Sequence, residues 1–360
     1  MARRETILDL LERLAPDVGK AFEESIRNMR SDVRIGAVES AIAEYMRNPS
    51  PDRVQAVIGL LNLDDAYFTP LDRAMRGAYE QGGDWAVDQL VSQARGQGVQ
   101  ISARFNSRNE RAERVVRERS SWRITEILDD KREVVRTTLA NALERGTAPR
   151  TVARDLVGRI NRATGRREGG IVGLHSEQAA QAQRVYDILR DDPRAYFVKD
   201  RKTGRWKPRY KGTDRRMDAT VLKAIREGKP VPVDQARAIV TRYRGRLLQQ
   251  RGETIARTEL LGSLNAAQDE GLQQMIDKGH VAQDAVESVW DAALDGDTRE
   301  EHRGLDGQRR RQGEPFVSPS GYQLLYPGDT SLGAPAEMVI NCRCIRRVSV
   351  SFVDNLGPGD

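Results

Sequence analysis

The chain has 360 residues, 38% hydrophobic, 5% aromatic and 31% charged, and its 59 basic and 53 acidic side chains leave a net charge of +6. That length is enough for two or three domains with real cores, and the scarcity of aromatics beside so many charges argues against a β-sandwich and for long amphipathic helices with solvated faces. No apolar run approaches the roughly 18 residues of a membrane-spanning helix, and Met1-Ala2-Arg3-Arg4 leads into a charged helical pattern without an apolar signal region, so a soluble, non-exported protein with no membrane partner is expected.

From Glu5 to about Ile101 the spacing predicts a succession of short helices. Ile7, Leu10, Leu11 and Leu14 recur at helical intervals. Val54, Val57, Ile58 and Leu61 do so after Ser50-Pro51, which reads as an N-cap with proline in the first helical position. Gly82-Gly83 reads as a break before a further short helix carrying Trp85, Leu90 and Val91. Phe105-Asn106 opens a longer helix that ends at Arg145-Gly146, with Ile124, Ile127, Leu128, Val134, Val135 and Leu139 in one stripe. Pro149 begins another, with Val152, Leu156 and Ile160 on one side, and Ser176 a third after the break at Arg166 to Gly170.

Residues 199–216 differ from what surrounds them, being dense in Lys and Arg with Trp206 and Tyr210 interleaved and Gly204 and Gly212 breaking any helix. An exposed hairpin or extended loop is expected. Two helices should follow, one from Val233 or Asp234 to about Leu248 and one from about Thr254 to Ile276. Beyond Gly279 the pattern changes to short strands at Val286 to Ala293 and Glu337 to Val353. The expected architecture is mainly α: a helical N-terminal region (1–100), a helical middle region (101–250) with the basic loop 199–216, and a small α+β C-terminal domain (251–360).

Chemistry-bearing residues concentrate in that last domain. His302, Cys342 and Cys344 are suitable zinc donors, with a fourth from Asp295, Asp297, Asp306 or Glu337, because a Cys-x-Cys pair on a strand turns both sulfurs to one face. The competing reading makes both cysteines small buried residues, with His302 packing or capping a turn. Asp291, Asp295 and Asp297 with His302 could instead hold Mg²⁺ and activate water in a nuclease or other hydrolase. Here the competing reading is a strand end and turn, with Asp297 or Thr298 capping the next helix. In the basic segment, Lys202, Arg205, Lys207, Arg209 and Lys211 could neutralise phosphates while Trp206 or Tyr210 stacks on bases, and a solvated loop against an acidic protein surface is the alternative.

The order Arg257-Thr258-Glu259, Asn265, Trp290, Asp295, Thr298-Arg299, His302, Leu305-Asp306-Gly307, Phe316, Pro327-Gly328-Asp329, Glu337 and Asn341-Cys342-Arg343-Cys344 resembles the C-terminal domain of phage Mu protein F-like minor head proteins. The resemblance reaches upstream through Gly169 to Leu174 and Phe105-Asn106, over roughly residues 100–350, and the basic segment at 199–216 departs from it. It implies a non-enzymatic head-morphogenesis protein of a tailed double-stranded DNA phage or prophage. Such a protein is portal-associated and acts in procapsid assembly and DNA packaging or delivery. Its implied partners are the portal protein, the major capsid protein or both, with DNA a further candidate through the basic segment, and its implied place is the virion head near the portal vertex, after assembly in the host cytoplasm. Within the module, Trp290 and Phe316 should pack the core, Arg257 and Glu259 should be buried or partly buried pairing groups, and His302 with the two cysteines should pin the Asp-rich loop to the last strand. No cofactor is expected beyond a structural zinc.

Overall fold

The computed structural model describes residues 5–352, the side chains of 120–122 excepted. Met1 to Arg4 and the Val353 end of the expected last strand lie outside them. In chain order the elements are α1 (Ile7–Ser31), α2 (Ile35–Arg47), α3 (Pro51–Gly59), α4 (Thr69–Gly96), α5 (Glu110–Glu144), α6 (Pro149–Val157), β1 (Arg159–Ile160), β2 (Arg167–Glu168), α7 (Ser176–Asp191), β3 (Phe197–Lys199) and β4 (Trp206–Pro208). They continue with α8 (Asp218–Glu227), α9 (Val233–Asp277), β5 (Val286–Asp291), α10 (Glu300–Leu305), β6 (Arg309–Arg311), β7 (Phe316–Val317), β8 (Gln323–Leu324), α11 (Ala336–Val339) and β9 (Ile345–Val350). The fold is mainly α with a small α+β C-terminal part.

Several local signals act as expected. Ser50 caps α3 by accepting from the Arg53 amide, and Pro51 fills the first position. Pro149 opens α6. Others fail for identifiable reasons. Gly82 and Gly83 lie inside the 28-residue α4 and do not break it. A Cβ on Gly83 would sit 2.2 Å from the Phe105 ring, and one on Gly82 would sit 2.8 Å from Leu264, so these glycines make room for packing neighbours. The two helices expected between residues 233 and 276 are one helix of 45 residues, and α8 before it had no counterpart in the sequence reading. Arg251-Gly252-Glu253, between the two expected helices, lies inside α9. Ile160 does not join the apolar side of α6; it lies in β1 and is exposed. The helix α7 does begin at Ser176, with the His175 ring capping it by accepting from the Gln178 amide.

The described residues form two compact units, one drawing on residues 5–21, 71–122 and 252–352, the other on residues 22–70 and 123–251. The first holds the antiparallel sheet in the order β6-β5-β9, with Trp290 opposite Arg346 and Asp291 opposite Ile345. Strand β5 alternates buried and half-buried residues, as a strand with one covered face must. Val286 and Val350 join Val87, Leu90, Leu272 and Met275 in one apolar cluster. Asn106 docks on α9 through a two-way bond with Gln274, its amide donating to Oε1 at 2.9 Å and its carbonyl accepting from Nε2 at 3.0 Å.

In the second unit, Gly169 to Leu174 is a buried loop whose carbonyls are satisfied by arginine side chains. Arg30 donates to Val172 O at 2.7 Å and Gly170 O at 2.5 Å, Arg244 to Gly169 O at 3.3 Å, and Arg251 to Gly173 O at 3.2 Å. Buried backbone carbonyls need partners, and here the forked guanidinium supplies them where no ladder does. Arg244 and Arg251 are in turn paired with Asp155 at 3.1 Å and Asp130 at 2.7 Å.

The same unit carries the basic segment, which is a hairpin: Lys199 pairs with Trp206 and Val198 with Lys207. Asp200 closes its turn by accepting from the amides of Lys202 and Thr203 and from the Lys207 ammonium, an arrangement that holds the carboxyl well below its usual range, Lys207 contributing most.

A buried histidine and two cysteines in the α+β module

Trp290 on β5 is fully buried. It meets Phe316 edge-on at 5.3 Å and His302 at 6.0 Å between ring centroids, which makes both aromatics core residues as expected. After β5 the chain turns through residues 295–298. The Asp295 carboxylate accepts from the Asp297 amide at 3.1 Å and the Thr298 hydroxyl at 3.0 Å and pairs with Arg343 at 2.6 Å. The helix that follows is not capped by Asp297 or Thr298. Its N-cap is Arg299, whose side chain reaches across to the Ile340 carbonyl at 2.5 Å.

The stretch His302-Arg303-Gly304-Leu305-Asp306-Gly307 can be read residue by residue. Leu305 is fully buried. A side chain on Gly304 would strike Pro319 at 2.3 Å. Asp306 accepts from the Ala292 amide at 2.9 Å, and Gly307, at φ +73°, takes the left-handed turn that lets its amide donate to Trp290 O at 2.9 Å. Elsewhere in the module Asn265 donates to Pro327 O at 3.2 Å, and the buried Asp329 accepts from the amides of Leu325 and Ser331. These polar signature residues satisfy backbone groups that would otherwise be buried without partners.

His302, on α10, is 2% exposed, and its Nε2 lies 2.9 Å from Met338 O. A carbonyl can only accept, so Nε2 carries a proton and Nδ1 is the ring atom left to face the cysteines. Nδ1 is 3.6 Å from Cys342 Sγ and 3.4 Å from Cys344 Sγ, and all three donor atoms lie within 4.8 Å of one another. Both thiols are free and buried. They do not sit on a strand, as the Cys-x-Cys argument had it. They lie in the turn before β9, and residue 337 is in the short helix α11, not a strand. What aims them is Asn341 at φ +53°, a conformation asparagine tolerates better than most residues, with its amide held by Thr258 Oγ1 of α9 at 3.1 Å. The two sulfurs polarise each other. The Cys344 thiol is pulled down to about 5 because the Cys342 thiol donates to it, and Cys342 is raised by that same bond and by burial.

Among the described residues no carboxylate joins this group. Asp295 is taken by its turn and Arg343, Asp306 by the Ala292 amide, and Asp291 by Arg347 at 3.1 Å. Arg257 is exposed and pairs with Glu12 at 2.9 Å, while Glu259 is buried, so only the second meets the expectation for the pair. Thr258, Arg299 and Asn341 stand in the sequence pattern, but their supporting roles are visible only in the structure, and Met338 O carries no sequence signal. Arg343 also lines, with Arg257, Arg299 and Cys342, a groove on this module. The alternation of Arg343 between the two cysteines was the one available hint to that groove.

The residues of the basic hairpin are exposed at Lys202, Arg205, Trp206, Lys207, Arg209 and Lys211, with Tyr210 half-buried. Trp206 is 69% exposed. Lys207 and Arg209 are used within the hairpin, on Asp200 and on the Ala195 carbonyl.

The fold and this cluster define a mainly helical protein with an α+β module in which a buried histidine faces two cysteines. Residues 216–347 match the family model described as phage Mu protein F like protein, and over them the chain is similar to that family. The features read upstream of residue 216 lie outside that match. No curated protein and no solved structure matches the chain. Among the described residues no helix is long and apolar enough to cross a membrane.

Proposed function

We propose that this is a non-enzymatic minor head protein of a tailed double-stranded DNA phage or prophage. In this reading it is portal-associated and acts in procapsid assembly and in DNA packaging or delivery. The observation that carries the reading is the family match over residues 216–347. The state of the module's acidic groups supports the structural over the catalytic form of it. Asp291 and Asp295 are paired with arginines and Asp306 with a backbone amide, and among the described residues Asp291, Asp295 and Asp297 form no group close enough to hold one ion. The implied partners are the portal protein and the major capsid protein. Co-expression of the full chain with the portal protein of the same phage tests this: the two are expected to elute together as a ring-sized complex. Portal rings that elute alone, together with heads that lack this chain, would sink the proposal.

A second reading is favoured by one specific observation, the exposed Trp206 on a hairpin rich in Lys and Arg. In it the hairpin touches DNA, with Trp206 and Tyr210 available to stack and Lys202, Arg205 and Lys211 free to meet phosphates. Lys207 and Arg209 are poor choices for a test because they brace the hairpin. Replacing Lys202, Arg205 and Lys211 by alanine is expected to lower the slope of log affinity against log salt by about 2–3 for duplex DNA, since each phosphate contact contributes about 0.9. Fluorescence anisotropy measures it, and an unchanged slope would count against the contact.

A further inference from the structure

We propose that His302 Nδ1, Cys342 Sγ and Cys344 Sγ bind one Zn²⁺ ion, which ties α10 to the turn before β9 and leaves its fourth position to water or another external ligand. The inference rests on side-chain geometry alone and does not depend on the head-morphogenesis reading.

The distances carry it. With Zn–S near 2.3 Å and Zn–N near 2.0–2.1 Å, a tetrahedral ion places nitrogen and sulfur donors about 3.5 Å apart. The two observed Nδ1 to Sγ separations, 3.6 and 3.4 Å, bracket that value. The donor set, two sulfurs and an imidazole, is the soft combination that selects zinc over magnesium or calcium.

The outer groups fit as well. A zinc-bound histidine ordinarily gives its second N–H to a carbonyl or carboxylate, which fixes the tautomer and the ring plane. Met338 O takes that position at 2.9 Å from Nε2. Two thiolates and a neutral imidazole around Zn²⁺ sum to zero charge, which is what a site walled by Trp290 and buried on α10 can accommodate. No fourth His, Cys, Asp or Glu belongs to the group among the described residues. The set therefore has three protein ligands, the number found where zinc keeps a position for an external ligand. Cys342 also lines the groove shared with Arg257, Arg299 and Arg343, which gives an external ligand a route of approach.

The test uses the full chain and the metal alone. Purified protein should carry stoichiometric zinc by elemental analysis, and the stripped protein should regain one equivalent with a rise in melting temperature. Substituting Co²⁺ should produce a sulfur-to-metal charge-transfer band and the intense visible bands of a four-coordinate ion. Cys344→Ser and His302→Gln should lose the zinc, whereas Asp295→Asn should keep it. Should the first two variants fail to fold, the stripped wild-type protein still decides the question. Absence of zinc uptake, a melting temperature indifferent to Zn²⁺, a Co²⁺ spectrum without the sulfur band, or loss of zinc in Asp295→Asn would each overturn the assignment.

Discussion

Replacing Trp290 by alanine is expected to cost about 3–5 kcal/mol, the range for removing a large buried aromatic and leaving a cavity. The indole is fully buried near the C-terminal end of β5, and its two edge-on neighbours, Phe316 and His302, come from different elements, so no single backbone shift can fill the hole. Trp290→Phe keeps part of the volume and should cost less than half as much. Urea unfolding of the two variants beside the parent protein measures the difference. A Trp290→Ala midpoint within about 0.5 kcal/mol of the parent, the spread of an ordinary surface change, would show that this residue does not anchor the module.

The second large effect has the opposite sign. Lys131 on α5 is completely buried, with its ammonium nitrogen 4.1 Å above the Phe68 ring and no protein hydrogen-bond acceptor among the described residues. Burial, with Arg251 and Arg30 nearby, drives its pKa well below the ordinary lysine value of 10.5, and Asp130 only partly opposes them. Between that lowered value and 10.5 the unfolded chain holds a proton that the folded chain has released. Protons bound preferentially by the unfolded state make stability rise with pH, so the penalty is largest on the acid side and fades as pH approaches 10.5. Lys131→Met keeps the length of the side chain and places sulfur near the Phe68 ring. It is expected to stabilise the protein at neutral pH by about 1–4 kcal/mol, the range seen when buried charges are replaced by apolar groups. The stability gap between variant and parent should narrow between pH 7 and pH 10, at up to about 1.4 kcal/mol per pH unit. Urea unfolding at three pH values reads this out, and a gap that stays constant or widens with pH would contradict it.

What could be read from the sequence was whatever is encoded locally. Ser50-Pro51, Pro149 and Gly146 mark helix ends by their own backbone preferences, and the β3–β4 hairpin follows from Gly204 and the density of charge around it. Glycines set by tertiary packing misled. Gly82 and Gly83 look like breaks because the sequence does not display the partner, Leu264 or Phe105, that requires a bare Cα. The same limit applies to the site. His302, Cys342 and Cys344 could be singled out as donors, but their meeting depends on Asn341 in a left-handed conformation and on Thr258, 83 residues away, holding its amide. The Asp-rich stretch leaves two readings open in the sequence because a carboxylate that braces a turn and one that binds a metal look alike until their partners are known.

The arginine-held loop at residues 169–174 has a consequence for how this chain tolerates change. Connections between elements usually accept insertions and cleavage because they lie at the surface and owe nothing to distant side chains. This one is buried, and its carbonyls depend on guanidiniums separated from it by as many as 142 residues. An added residue would slide the four carbonyls of Gly169, Gly170, Val172 and Gly173 past their guanidiniums at once, so a reporter tag or a protease site belongs in the exposed turn at residues 162–165, a few positions upstream.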